Sequence, residues 1–107
     1  MTRLGLLLVM MEPPAERDDE FQAWYETEHL PQRRSMPGFL NGVRWECVSG
    51  WPKWLALYDL ESLTALETPQ YTAVAGPNST PWTRRILGFA HGYRRVAAEQ
   101  IEPGDAV

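Results

Sequence analysis

Tyr25, Glu28 and His29 are the residues of this sequence whose types and spacing suit proton transfer. They belong to the stretch Phe21-Gln22-Ala23-Trp24-Tyr25-Glu26-Thr27-Glu28-His29-Leu30-Pro31. At the period of an α-helix, Phe21, Trp24, Tyr25, Glu28 and His29 share one face. An ordinary amphipathic helix carries leucine or alanine where Glu28 and His29 stand. An imidazole with an ordinary pKa of ~6.5 takes or gives a proton near neutrality, as enolisation, lactone isomerisation or aldol-type cyclisation requires. Tyr25, one turn earlier, can donate to a ligand oxygen or orient the ring. Glu28 can raise the basicity of the imidazole or pair with a nearby arginine, and the second role is expected here. The competing reading makes His29 a hydrogen-bonded structural residue.

Five tryptophans in 107 residues are read first as core packing, and their number also suits a cavity or subunit interface lined with flat apolar surface. Trp24, Trp54, Tyr58 and Trp82 are accordingly candidate ligand-binding residues, together with Glu28. Trp82, following Pro81, is expected either to lid a pocket or to pack against a helix. His91 is a second candidate imidazole, with a structural role as its simpler reading. Asp59, at a strand end, reads as a turn residue. Cys47 is the lone cysteine, so an internal disulfide and a cysteine-rich metal site are both excluded, and no His-x-x-x-His spacing occurs. No metal and no cofactor are expected. Neither Cys47 nor any serine has an evident base partner, which disfavours nucleophilic catalysis.

The formal charge of −4 argues against a nucleic-acid or anionic-membrane partner, and the pairs Arg33-Arg34, Arg84-Arg85 and Arg94-Arg95 read as solvated surface arginines. Leu4 to Met11 imitates the core of a secretory signal but runs into Glu12-Pro13-Pro14 without a small-residue cleavage site, so it reads as a strand. It is shorter than the ~20 apolar residues of a membrane span. The expectation is a cytoplasmic protein.

These side chains need elements to hold them. Arg3 to Met11 is a continuous apolar run, as in a strand covered on both faces. A helix is expected from somewhere between Ala15 and Asp19, its acidic start suiting the helix dipole. Pro31 should break or kink it near His29–Leu30, leaving His29 in the last turn, where the dipole favours its protonated form. Gln32 to Ser35 would add one further turn, and Met36-Pro37-Gly38 would turn the chain. Phe39 to about Ser49 reads as a second strand, with Phe39, Val43, Trp45 and Cys47 on one face. Gly50-Trp51-Pro52 would lead by a hairpin into a third strand, Lys53 to Leu60. Ser62 caps a short helix over Leu63 to Glu67, Thr68-Pro69 restarts it, and Gly76-Pro77 ends it. Thr80-Pro81-Trp82 repeats the cap for one turn. Ile86 to about Ala97 is the last strand, with Leu87, Phe89, His91 and Tyr93 on one face and Gly88 and Gly92 on the other, open to close approach. Residues 1–98 are thus expected to form one domain and 99–107 a tail.

Strand, helix, strand, strand, helix, strand with right-handed crossovers gives an α+β, ferredoxin-like βαββαβ antiparallel sheet with its helices on one face. Because the strands are apolar on both faces, a second copy packed sheet to sheet about a two-fold axis is expected, a homodimer. The motifs Trp24-Tyr25-x-x-Glu28-His29-Leu30-Pro31, Pro37-Gly38-Phe39, Leu57-Tyr58-Asp59-Leu60 and Thr80-Pro81-Trp82-Thr83 resemble the EthD-like branch of the dimeric α/β-barrel superfamily. The resemblance runs to about Val96. It implies two ferredoxin-like subunits whose sheets close into a barrel, with a pocket between sheet and helices in each. Relatives include muconolactone isomerases, polyketide cyclases, cofactor-free antibiotic monooxygenases, haem-handling enzymes and proteins of no known activity. His29 falls where the branch's Glu-His-x-Pro motif offers a pocket histidine. The expectations for function are a cofactor-independent acid–base enzyme of isomerase, cyclase or lyase type on a small hydrophobic cyclic or aromatic substrate, a non-catalytic binding or accessory protein, a cofactor-free monooxygenase, and a haem-binding or haem-degrading protein with His29 as ligand.

Overall fold

Gly5–Glu12 forms strand β1, in which Gly5, Leu7, Val9 and Met11 are buried while their alternates are half-buried. That alternation is the period of a strand whose two faces meet different surroundings. The structure is a computed structural model and describes residues 3–102. After β1 come a 3₁₀ turn, Ala15–Arg17, and helix α1, Asp18–Trp24. A π-helical turn, Tyr25–His29, leads into helix α2, Leu30–Arg34. Strands β2, Val43–Glu46, and β3, Trp54–Leu60, form a hairpin. Short helix α3, Pro69–Thr72, lies between 3₁₀ turns over Leu63–Glu67 and Gly76–Asn78. Helix α4, Pro81–Phe89, and strand β4, His91–Glu99, complete the chain described.

The strands lie in the order β2-β3-β1-β4, every neighbour antiparallel, with the helices on one face: the ferredoxin-like arrangement that the element order predicts. The core sits between that face and the helices. It is built from Leu7, Val9, Met11, Ala56, Tyr58 and Leu60 of the sheet and from Phe21, Trp24, Tyr25, Leu30 and Ile86 of the helices. Burying side chains of this size stabilises the fold by about 1.5–3 kcal/mol each before entropy is charged against it.

Pro31 does not end the first helix. Its missing N–H and bulky ring forbid a regular α-turn, and the chain answers with the wide turn Tyr25–His29 immediately upstream. Leu30 N–H then donates to the Tyr25 carbonyl, five residues back, and the helix continues to Arg34. His29 therefore stands in mid-helix, away from the C-terminal dipole. Arg34 ties α2 to the approach of β2 by donating from Nε and Nη2 to the Gly42 carbonyl, at 3.1 and 2.7 Å.

Three other boundaries differ from the expectation. The second strand is only Val43–Glu46. Phe39 makes one bridge to Leu60 and is buried, so it does not share the exposed side of Val43 and Trp45. The stretch read as a strand from Ile86 is helical to Phe89. Leu87 and Phe89 thus belong to α4, and only His91 and Tyr93 of that group lie on β4. Trp82, Ile86 and Phe89 turn one stripe of α4 inward at spacings of four and three, which overrides the strand-like composition of Ile86-Leu87-Gly88-Phe89. The second helical region is correspondingly broken into short pieces, with α3 ending at Thr72 instead of Gly76. β4 reaches Glu99, the first residue assigned to the tail, and residues 103–107 of that tail lie outside the described residues.

The capping devices are those the sequence announces. Ser62, Thr68 and Thr80 accept from the N–H groups of Thr64, Tyr71 and Thr83. Gly92, at a positive φ, is approached by the Trp51 indole, so a Cβ there would collide with the ring, while Gly88 has open space beside it. The face of the sheet turned away from the helices carries Leu6, Leu8, Met10, Leu55 and Leu57 half-buried, flanked by exposed Val43, Trp45 and Val96.

Candidate functional site

A cavity of about 320 Å³ lies between the inner face of the sheet and the helices. Leu7, Val9 and Met11 supply its floor, Trp24, His29 and Arg33 come from the long helix, and Tyr93 and Arg95 come from β4. The last two are exposed and mark the mouth. Tyr58 of β3 closes the interior, 1% exposed, with its hydroxyl unpartnered. Its phenol is pushed up to about 12, chiefly by burial. A more open hollow of about 420 Å³ near Leu4, Leu40 and Gln100 has no imidazole on its wall.

His29 is 7% exposed and stacks on Trp24, ring centres 4.3 Å apart and planes 23° from parallel. Tyr25 meets the imidazole edge-on at 5.5 Å. Nδ1 of His29 is buried without a hydrogen-bond partner. Burial, and next the nearby Arg33 charge, hold its pKa down to about 3. The imidazole is therefore neutral at pH 7, the reverse of what a place at the helix end would produce. A neutral imidazole with a free nitrogen can accept a proton or a hydrogen bond. It cannot serve as a standing acid.

Behind Trp24 a polar chain fixes the aromatic wall. Trp24 Nε1 donates to Thr83 Oγ1 at 3.0 Å, and Thr83 Oγ1 lies 3.3 Å from Glu28 Oε2, which also receives Thr80 Oγ1 at 2.6 Å. Glu28 thus reaches neither the imidazole nor an arginine. It braces the start of α4, because the turn at Tyr25–His29 swings it toward Thr80. Tyr25 is buried under the Arg44 guanidinium, 4.1 Å from its ring, and burial raises its phenol well above the usual range. It contacts His29 but does not line the cavity.

Of the other candidates from the sequence, Trp24 and Tyr58 line the cavity with His29, while Trp54, Trp82 and His91 do not. Trp54 packs half-buried against Arg44 and Lys53 at the start of β3. The Trp82 indole donates to Glu20 at 3.3 Å and helps bind α4 to α1, so packing and not a lid accounts for it. His91 is exposed at the start of β4, paired with Glu12. Sequence reasoning missed Arg33 and Arg95 by reading both as surface charges. The signal for Arg33 was its place four residues after His29, on the same helix face. For Arg95 it was alternation with Tyr93 and Ala97 along a strand. No cluster of His, Cys, Asp or Glu among the described residues could hold a metal ion, and no helix among them is long and apolar enough to cross a membrane.

No family model matches the sequence, and no curated protein does. Solved structures do match. An EthD family protein from Bacillus halodurans is 17% identical over 92% of this chain and 99% of its own, with a TM-score of 0.62. The haem degrader MhuD of Mycobacterium tuberculosis, with two haems bound in its active site, is 21% identical over 91% of this chain and 95% of its own, TM-score 0.62. A variant of SnoaB, a cofactor-independent oxygenase from Streptomyces nogalater, is 12% identical over 95% and 99%, TM-score 0.65. The chain has the fold of these proteins. Identity this low carries the fold and nothing finer.

Proposed function

We propose that the chain is a cytoplasmic, homodimeric enzyme that binds a small, flat, mainly apolar molecule in this cavity and removes a proton from it with His29, without a cofactor. One observation carries the reading: a neutral imidazole is stacked on Trp24 at the cavity wall, with Nδ1 sealed and unpartnered, so that Nε2 is the nitrogen left to meet a ligand. Trp24 and Tyr58 would enclose the ligand, and Tyr25 would hold the imidazole from its edge. The ligand's own structure decides whether the resulting anion isomerises, cyclises or reacts with dioxygen. The shared fold with a cofactor-independent oxygenase supports the last of these.

Proton removal can be read before any product is known. Quinols and 1,3-dicarbonyl compounds incubated with the protein in D₂O should exchange their acidic hydrogens, followed by NMR, with oxygen uptake recorded in parallel. His29→Ala should lower the enzyme-dependent rate by roughly 100-fold or more, the scale of a lost general base. Ligands that bind while exchanging equally in both proteins would make this a non-catalytic binding protein, the second reading, which the low basicity of His29 favours.

A haem-handling role is supported by the fold shared with MhuD. The enclosed His29 ring and a cavity of about 320 Å³, at the low end of the range for drug-sized ligands, fit a smaller molecule better than a porphyrin. A Soret band that shifts on reconstitution of the wild type and not of His29→Ala would reverse that judgement.

A further inference from the structure

The guanidinium of Arg33 is withdrawn from water and that of Arg44 is half-withdrawn, and neither has a carboxylate partner among the described residues. Arg44 lies over Tyr25, Trp54 and Phe21, away from the cavity. Arg33 lines the cavity and is 7% exposed. Its one hydrogen bond runs to the neutral side-chain amide of Gln32 at 3.2 Å, and its guanidinium lies 5.0 Å from the centre of the Tyr71 ring. A cation–π contact of this kind offsets only part of the cost of burying a charge. The same wall carries a second guanidinium, that of Arg95, which donates to the Tyr71 hydroxyl at 3.3 Å. Among the described residues it carries no aspartate or glutamate. In a chain of net charge −4, the cavity is therefore a positive spot, and behind its wall His29 Nδ1 and the Tyr58 hydroxyl are sealed from solvent without partners.

We propose that the cavity selects an anion: a small flat molecule bearing one carboxylate, which sits on Arg33 with Arg95 at the entrance, while the apolar body lies between Trp24 and the floor of Leu7 and Val9. The proposal rests on the reading of this cavity as a ligand site and names the class of ligand. A carboxylate supplies the counter-charge that the fold omits, and guanidinium recognises it through paired hydrogen bonds. Seated there it also offsets the Arg33 charge, one of the two influences that depress the basicity of His29.

The test compares 2-naphthoate with 2-naphthamide, equal in shape and different in charge, by titration calorimetry on the full chain. The wild type should bind the acid tighter than the amide by about tenfold or more, as charge-assisted hydrogen bonds do. Arg33→Gln should erase that preference, Arg95→Gln should reduce it, and Arg3→Gln, exposed and off the cavity wall, should leave it unchanged. Acid and amide binding alike would overturn the anion and leave the ligand site standing. Binding of neither would remove the ligand site and the anion with it. Should Arg33→Gln fail to fold, Arg95→Gln decides, and an undiminished preference there overturns the proposal.

Discussion

His29 and Arg33 sit four residues apart on one helix and shape each other's chemistry. The imidazole is held neutral by burial and by the guanidinium, down to about 3. An unfolded imidazole titrates near ~6.5, so between these values the unfolded chain binds a proton that the folded chain refuses. The contribution of His29 to stability is thus fully present above about pH 6.5. It falls by about 1.4 kcal/mol per unit as pH drops toward about 3. In denaturant titrations between about pH 6.5 and 5, above the range of ordinary carboxylates, His29→Gln should flatten this slope. An identical slope in the variant would mean that His29 is solvated in the fold and that its enclosure is wrong. The imidazole was legible in the sequence because a histidine on an aromatic stripe is conspicuous. Arg33 was not, since a charged side chain followed by another charged side chain reads as surface.

Helix α4 is the element on which the site's back wall depends. Thr80 opens it by accepting from Thr83 N–H at 3.1 Å, and donates in turn to Glu28 at 2.6 Å. Thr83 then fixes the indole on which His29 stacks. Thr80→Ala should cost about 1–2 kcal/mol, the sum of a lost cap and a stranded carboxylate, whereas Thr80→Ser should retain most of the stability. Equal midpoints for wild type and Thr80→Ala in urea would show that the cap contributes nothing. The cap itself was readable from Thr80-Pro81. The length of the helix was not, because Ile86-Leu87-Gly88-Phe89 has strand composition and only packing against α1 and the sheet selects the helical stripe. The passage through Pro31 is similar. A proline signals a break locally, yet one wide turn absorbs it once both halves of the helix are anchored on the sheet.

The sheet presents an apolar surface on the side without helices. Leu8 lies at its centre, paired with Leu57 on one side and Val96 on the other, and Trp45 stands 56% exposed at its margin. Surface of this kind favours association, and a second copy of the same sheet would cover it with matching apolar area. Light scattering at micromolar concentration should report a dimer for the wild type and a monomer for Leu8→Lys, whose charge would be placed in the middle of the contact. A monomeric wild type would remove the dimer, and a dimeric Leu8→Lys would place the interface elsewhere.

Periodicity and capping chemistry are properties of neighbours along the chain, so the sequence by itself determined the order of the elements, the antiparallel topology, the three threonine and serine caps and the place of His29 on an aromatic stripe. Membership of a cavity depends on which residues distant in sequence meet, and that was decided only by the tertiary structure. Register brings Arg95 over Val9, and the wide turn carries Glu28 to Thr80 and away from the imidazole. Burial, which no local pattern encodes for a charged side chain, turned Arg33 from a surface residue into a cation on the cavity wall.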